Sequence, residues 1–412
     1  LERRQLHHAG APVMRDNRLH FREPLLSTPF HPRTSALARL NQWGAWAGHT
    51  TALAFDDEAM EYTAIRNQAS VYDLSPMVKY RISGVDAEGF LNRLTLRDVS
   101  RLKPGHVHYT AWCDGDGKLL DDGTLFRFSA TEFSLCCQER HLPWLLDSAV
   151  GYAVDVREVT DEIAALSLQG PCAFAVLKQA GFSEVATLKP FQLAEFPFQK
   201  GKLMISRTGF TGDLGYELWT TPKLALTLWD HLFEAGKLHG LRAIGSNALN
   251  LARLEAGFII TNLDFVPADQ AVRNDRSRSP FEMGLDWMID FDKGHFNGRR
   301  ALMQEKQSGS SCWALVGLDI EGNVPADHSL IYHRKSKEVG YITAAAWSPA
   351  GKRNIALALL ERPYNKEKSN DLWVEIYAPR ELQYHKLMVR ARVVERPFFN
   401  PPRRRLTPPA EY

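Results

Sequence analysis

Cysteine is scarce in this chain. Among 412 residues there are five, Cys113, Cys136, Cys137, Cys172 and Cys312, and no two form a Cys-x-x-Cys pair. So sparse and odd a set excludes a disulfide-stapled fold and predicts reduced thiols and a cytoplasmic address. A dominant charge sign is also missing. Fifty Lys and Arg against 48 Asp and Glu leave a net charge of +2, so no nucleic-acid partner is expected. No apolar run approaches the roughly 18–20 residues that cross a bilayer, so no membrane partner is expected either. Residues 1–13, ahead of Met14, are basic and read as an extension, and no apolar segment follows them, which argues against a secretory signal. No Gly-x-Gly-x-x-Gly follows a strand, so FAD is not expected by that device, and no His/Cys cluster predicts a metal. Asp114-Gly-Asp-Gly117 lacks the acidic spacing of an EF-hand, so no calcium is expected there.

At this length the chain has room for two or three domains. Hydrophobic residues at 44% and charged ones at 24% describe an ordinary globular protein. Helical spacing appears at 57–68, after Asp86 as cap (Phe90, Leu91, Leu94), at 141–150, at 224–235 with Gly236 as its stop, and at 247–258. Strand patterns occupy 79–83, the two arms around Asp114-Gly-Asp-Gly117, 124–128 with 132–137, and 162–170. Asp121 and Asp122 stand at the end of the second arm, and alternation sends them to opposite faces. Residues 15–45 read as a surface wrap, and Trp43-Gly-Ala-Trp-Ala-Gly-His49 as a packed loop. Six short strands at 313–320, 329–332, 339–345, 354–359, 372–377 and 386–394 suggest a small antiparallel barrel or sandwich, followed by a Pro-rich basic tail.

The most informative stretch is Ser206-Arg-Thr-Gly-Phe-Thr-Gly-Asp-Leu-Gly-Tyr-Glu-Leu-Trp219. Three glycines break an apolar strand and allow close backbone approach to a flat ligand. Glu217 then stands among Tyr216, Leu218 and Trp219. Pattern alone leaves two readings open: a hairpin with a solvent-facing Glu, or a carboxylate in an apolar run that must meet a donor.

Ser206–Leu218 resembles the signature of the glycine-cleavage T-protein (aminomethyltransferase) family, and the resemblance extends over about residues 40–400. It implies an α+β fold in which two related halves surround a central folate site, with a small C-terminal β-barrel. The implied division is 1–40 as extension, 41–310 as the folate-binding region, 311–396 as barrel and 397–412 as tail. Tetrahydrofolate is the implied acceptor. Glu217 matches the residue that holds the pterin, whose amino group and neighbouring ring N–H suit a carboxylate fork. Asp122 matches the catalytic carboxylate beside the reacting nitrogens, and Asp121 is left as a turn acid whose replacement is expected to cost little. Tyr109 matches a folate-contacting tyrosine, Phe258 replaces another, and Phe210 replaces the signature's own tyrosine; the two phenylalanines are expected to line the cofactor site.

The chain also departs from the family. Pro76 replaces a His, as in the folate modules of dimethylglycine and sarcosine dehydrogenases, and Leu249 stands where an Arg helps hold folate. With Trp46 and Trp112 read as an aromatic wall for a methylated cation, these departures imply transfer of a methyl group from a small methylated amine or onium donor. Aminomethyl transfer from a lipoyl carrier protein is the alternative. A non-catalytic folate-binding accessory protein is the rival from another class. His295 and Arg299 in Lys293-Gly-His-Phe-Asn-Gly-Arg299 argue against it, because such proteins have Cys and Gln there. Arg253 is expected in a structural ion pair with a helix neighbour. The purified protein is expected to be colourless and free of stoichiometric metal. Absorption spectroscopy showing flavin, or elemental analysis showing one zinc per chain, contradicts this.

Overall fold

Both faces of the strand Gly215–Thr220 are buried, and the architecture follows from what covers each. This strand pairs antiparallel with Gly201–Ser206 on one side and Ala164–Gln169 on the other. The six-stranded sheet is completed by Leu193–Phe198 at one edge and by Ser70–Asp73 and Arg242–Ala243 at the other. Successive side chains alternate across a strand. Leu218, Leu166, Ile205 and Val71 therefore share the outer face, where they meet Val176 and Leu177 of helix Ala173–Gln179 and Leu228 and Leu232 of helix Ala225–Gly236. The computed structural model describes residues 24–366 and 371–410.

A second, antiparallel sheet of five strands runs in the order His106–Cys113, Leu119–Arg127, Glu132–Cys137, Val78–Ser83 and Asp155–Glu158. Its outer face (Tyr80, Ile82, Trp112, Leu125, Leu135) packs on Phe90, Leu91 and Leu94 of helix Ala87–Leu94. Its inner face supplies Val107, Phe126 and Cys136 to one cluster with Tyr72, Ala165 and Trp219 of the first sheet. The two sheets thus face each other, with helices on their outsides. Six further strands, Trp313–Ile320, Leu330–His333, Lys337–Ser348, Arg353–Glu361, Leu372–Arg380 and Gln383–Val394, close into a barrel. Each lies where the strand pattern indicates.

Several local expectations are corrected. Residues 43–49 are not a loop but most of a hairpin, Gln42–Trp46 against His49–Ala54, turned by Ala47 (φ 46) and Gly48 (φ 82); consecutive positive φ values suit the twist of a two-residue turn. Residues 24–40 include helix His31–Leu37, which the fully buried Phe30 anchors against Trp229. Asp86 precedes its helix, yet its carboxylate accepts the Ala153 N–H rather than capping. The α-helix Ala225–Gly236 ends at Gly236 as expected, but a 3₁₀ turn follows it directly and runs to left-handed Gly240 (φ 63). Asp121 and Asp122 do not end a strand. They lie inside Leu119–Arg127, which runs on through Gly123.

One polar network ties these parts together. Arg66 of helix Glu58–Asn67 donates to Glu255 of helix Ser246–Glu255 at 2.6 and 2.9 Å and to the carbonyls of Thr211 and Ala252. Glu255 also accepts from Tyr62 at 2.7 Å and from Ser348 of the barrel. Arg403 of the tail pairs with Asp213 of the signature loop through two 2.7 Å contacts. Removing one partner of a buried pair strands the other charge, at about 3–5 kcal/mol. Arg66→Met is therefore expected to lower unfolding stability by about that amount, while Arg33→Met, which breaks the exposed pair with Asp230, costs under about 1 kcal/mol. Urea denaturation of both variants checks the contrast.

Candidate active site

Strand register decides which polar side chains enter the layer between the sheets. Tyr109, Thr124, Cys136 and Lys79 are successive cross-strand neighbours and so share the inner face of the five-stranded sheet. Asp122, two residues before Thr124, points the same way. On the opposing sheet, Ser206, Glu217, Ser167 and Tyr72 form a matching row.

Glu217 is 9% exposed, which settles the open choice in favour of the buried carboxylate. Its Oε2 accepts from Thr208 at 2.6 Å, and Thr208 in turn lies 2.7 Å from Ser206. Oε1 has no hydrogen-bond partner among the described residues. Burial pushes the pKa up to about 7, against the opposing pull of Thr208 and Lys79. Lys79 is fully buried, donates to the Ser75 and Met77 carbonyls at 2.8 and 2.7 Å, and lies 5.9 Å from the Trp219 ring. Burial pulls its ammonium down to about 8. Lys79 was not apparent from the sequence because a lysine in an alternating strand ordinarily faces water.

Asp122 receives the Tyr109 hydroxyl at 2.8 Å on Oδ2 and lies 3.1 Å from Thr261 on Oδ1. Burial, then the charge of Asp121, raises its pKa to about 7, while Tyr109 and Thr261 pull the other way. Asp121 does sit on the opposite face, but it is no turn acid. It is 0% exposed and is held by the N–H groups of Asp122 and Glu139, by His141 Nε2 and by Thr261. His141 and Thr261 carried no sequence signal, since they join Asp121 from separate loops. Trp112 is also misplaced in the sequence reading. Alternation puts it on the face away from Tyr109, where it is fully buried and meets His141 edge-on at 5.6 Å. Trp46 belongs to the inter-sheet cluster instead, 6.2 Å from Tyr72, so the two tryptophans form no common wall.

Phe210 and Phe258 stack at 5.6 Å with their planes 22° apart. The guanidinium of Arg404, from the tail, covers Phe258 at 5.2 Å. In sequence Arg404 carries no signal beyond its place in a basic tail. Leu249 packs against the inter-sheet cluster. Arg253 forms a fully buried ion pair at 2.6 Å, but with Asp264 in the following loop rather than with a helix neighbour. Among the described residues no group of three or more His, Cys, Asp or Glu could hold a metal ion, and no helix is long and apolar enough to cross a membrane.

Residues 32–293 match the GCVT N-terminal domain, and residues 314–400 the glycine cleavage T-protein C-terminal barrel domain. The chain is 32% identical over 324 residues to the aminomethyltransferase of Caldanaerobacter subterraneus subsp. tengcongensis, covering 77% of this chain and 84% of that protein. Identity to the aminomethyltransferase of Bacillus subtilis is 32% over 361 residues, covering 86% and 94%. A 33% identity over 349 residues links it to the trimethylamine-oxide aldolase of Ruegeria pomeroyi, covering 81% of this chain and 43% of that longer protein. The fold superposes on the crystal structure of glycine cleavage system aminomethyltransferase T from Bartonella henselae with a TM-score of 0.79 at 23% identity, covering 91% and 98% of the two chains. The chain belongs to the glycine-cleavage T-protein family, and it is an enzyme of the transferase class.

A buried acid whose folded pKa is raised stabilises the fold below its unfolded value and loses that contribution as pH rises through the folded one. For Glu217 the window runs from 4.5 to about 7, a gap worth about 3 kcal/mol at most. Glu217→Gln is expected to match the ligand-free wild type near pH 4 and to exceed its stability at pH 8. Thermal melts across that range measure it.

Proposed function

We propose that this enzyme moves a one-carbon unit, carried as an aminomethyl group on a lipoyl carrier protein, to tetrahydrofolate. The observation that carries the reading is the placement of two carboxylates, the buried Glu217 and the half-buried Asp122, on the inner faces of two facing sheets, in a chain whose family and relatives bear the aminomethyltransferase name. Transfer of a methyl group from a methylated amine, towards which Pro76, Leu249 and Phe258 lean, stands second. It is favoured by the likeness to an enzyme named for trimethylamine oxide.

The residues present fit a reduced pterin. Glu217 is buried, and its Oε1 is without a partner among the described residues, so it offers an acceptor that two adjacent N–H donors would satisfy. Lys79 favours the ionised form of that carboxylate. The Phe210–Phe258 stack and Arg404 supply flat apolar faces and a cation near the same loop. Tetrahydrofolate, when bound, supplies the nitrogen that takes up the carbon. Asp122, clamped by Tyr109 and Thr261, is a preorganised negative charge that offsets positive charge developing at that nitrogen. It is effective only when ionised, so activity is expected to rise as pH passes through about 7. All five cysteines are free thiols, which supports the cytoplasmic address.

Calorimetry and product analysis test the reading together. Glu217→Ala is expected to weaken tetrahydrofolate binding at least about tenfold, a decade being about 1.4 kcal/mol. Asp122→Asn is expected to bind tetrahydrofolate normally and to slow transfer by ~10²–10⁴-fold. Unchanged binding in a folded Glu217→Ala removes the pterin assignment. Full activity in Asp122→Asn removes the catalytic assignment of Asp122, whereas a wild type that binds tetrahydrofolate and transfers from neither donor favours a folate-binding accessory role. Folate products formed with a lipoyl-borne aminomethyl donor, compared with methylated amines, decide between the two donors.

A further inference from the structure

Asp121 is supplied with donors from four places in the chain. The Asp122 N–H lies at 2.8 Å, the Glu139 N–H at 3.1 Å, His141 Nε2 at 2.9 Å and Thr261 Oγ1 at 2.5 Å. The last of these is shared, because the same Thr261 oxygen lies 3.1 Å from Oδ1 of Asp122. A threonine hydroxyl has a single hydrogen. When that hydrogen points to Asp121, the oxygen lone pairs face Asp122, and the contact is attractive only if Asp122 carries a proton to donate back. When it points to Asp122, the ionised Asp122 has two donors, Thr261 and Tyr109; Asp121 keeps its other three, and its contact with the Thr261 oxygen must lengthen beyond 2.5 Å, because no hydrogen then lies between them. The two hydrogen positions therefore correspond to two charge states of Asp122.

We propose that Asp121, Thr261 and His141 are positioning residues for one-carbon transfer: a buried relay in which the Thr261 hydroxyl switches between two carboxylates and decides whether Asp122 is charged. The relay is useful to the reaction only on the reading that Asp122 is the carboxylate at the reacting centre. Ionisable neighbours surround it on several elements, Glu139 among them, whose N–H is bound to Asp121 and whose carboxylate accepts from Asn262. Asp122 faces Tyr109 on the adjacent strand and, beyond Thr261, Asp264, while Asp121 next to it in the chain and Cys137 on the other adjacent strand lie on the opposite face of the sheet. Asp264 is balanced by Arg253 at 2.6 Å. Asp121 faces His141 and Cys137. His141 is 4% exposed and is fixed by its own N–H, which donates to the Tyr80 hydroxyl, and by the edge of Trp112.

Two substitutions move the relay in opposite directions, which a purely structural role does not. Thr261→Val keeps the shape and removes the donor, so the ionisation midpoint of Asp122 is expected to rise by about half a pH unit or more. Asp121→Asn removes the adjacent negative charge, and the midpoint is expected to fall by about one unit. Carbon-13 NMR of carboxyl-labelled aspartate reads the midpoint without any turnover, the Asp122 signal being assigned by its loss in Asp122→Asn. The acid limb of the kcat profile is expected to shift with it, while KM for tetrahydrofolate holds. His141→Leu is expected to slow transfer, and His141→Gln, whose amide can still donate to Asp121, to restore much of it. Should Asp121→Asn fail to fold, Thr261→Val alone decides. Midpoints that stay put, or that move in the same direction in both variants, overturn the relay. Midpoints that move as expected without any change in transfer rate support the relay and overturn the catalytic assignment of Asp122.

Discussion

The two-residue period of one strand governs this molecule. Along Leu119–Arg127 neighbouring side chains must leave on opposite faces, and the consecutive aspartates exploit that. Asp122 enters the layer between the sheets, while Asp121 enters the core behind it. Two carboxylates that share a peptide bond thereby meet different surroundings: Tyr109 and Thr261 on one side, His141 and backbone N–H groups on the other. A slip of one residue in register would exchange them and bury the wrong group against the wrong donors.

The same period explains which parts of the site were legible in the sequence. The alternation of Asp121 and Asp122, the burial pressure on Glu217 and the six barrel strands all follow from local pattern. Trp112 was misassigned because the motif invited attention to its neighbour Tyr109, yet one step along a strand is half a turn in direction. Thr261 and His141 were not legible at all. Each lies far from Asp121 in the chain, and neither Thr nor His stands out in a loop until folding brings it to a buried carboxylate. The hairpin at Gln42–Ala54 was obscured for a different reason: its turn uses Ala47 rather than the Asn or Asp that usually announces such a bend.

Burial also sets the electrostatic character of the inner layer. Glu217, Asp122 and Lys79 all have pKa values displaced towards neutrality by the loss of water. Groups held there respond to a ligand's hydrogen bonds far more than exposed ones do. The layer is therefore poised to change charge on binding, whereas the Arg66–Glu255 and Arg253–Asp264 ion pairs around it hold opposite charges in contact and serve as the frame.

The latch between the tail and the signature loop bears on how the chain reaches this state. Arg403 reaches Asp213 across 190 residues and the Arg66 carbonyl across 337. Loop-closure entropy grows only slowly with length, so such distant contacts cost the finished fold little. Their effect is on time. Non-local contacts form late, and the residues that grip Asp213 emerge from synthesis long after both sheets. The signature loop therefore cannot gain this anchor until nearly the whole described chain has been made.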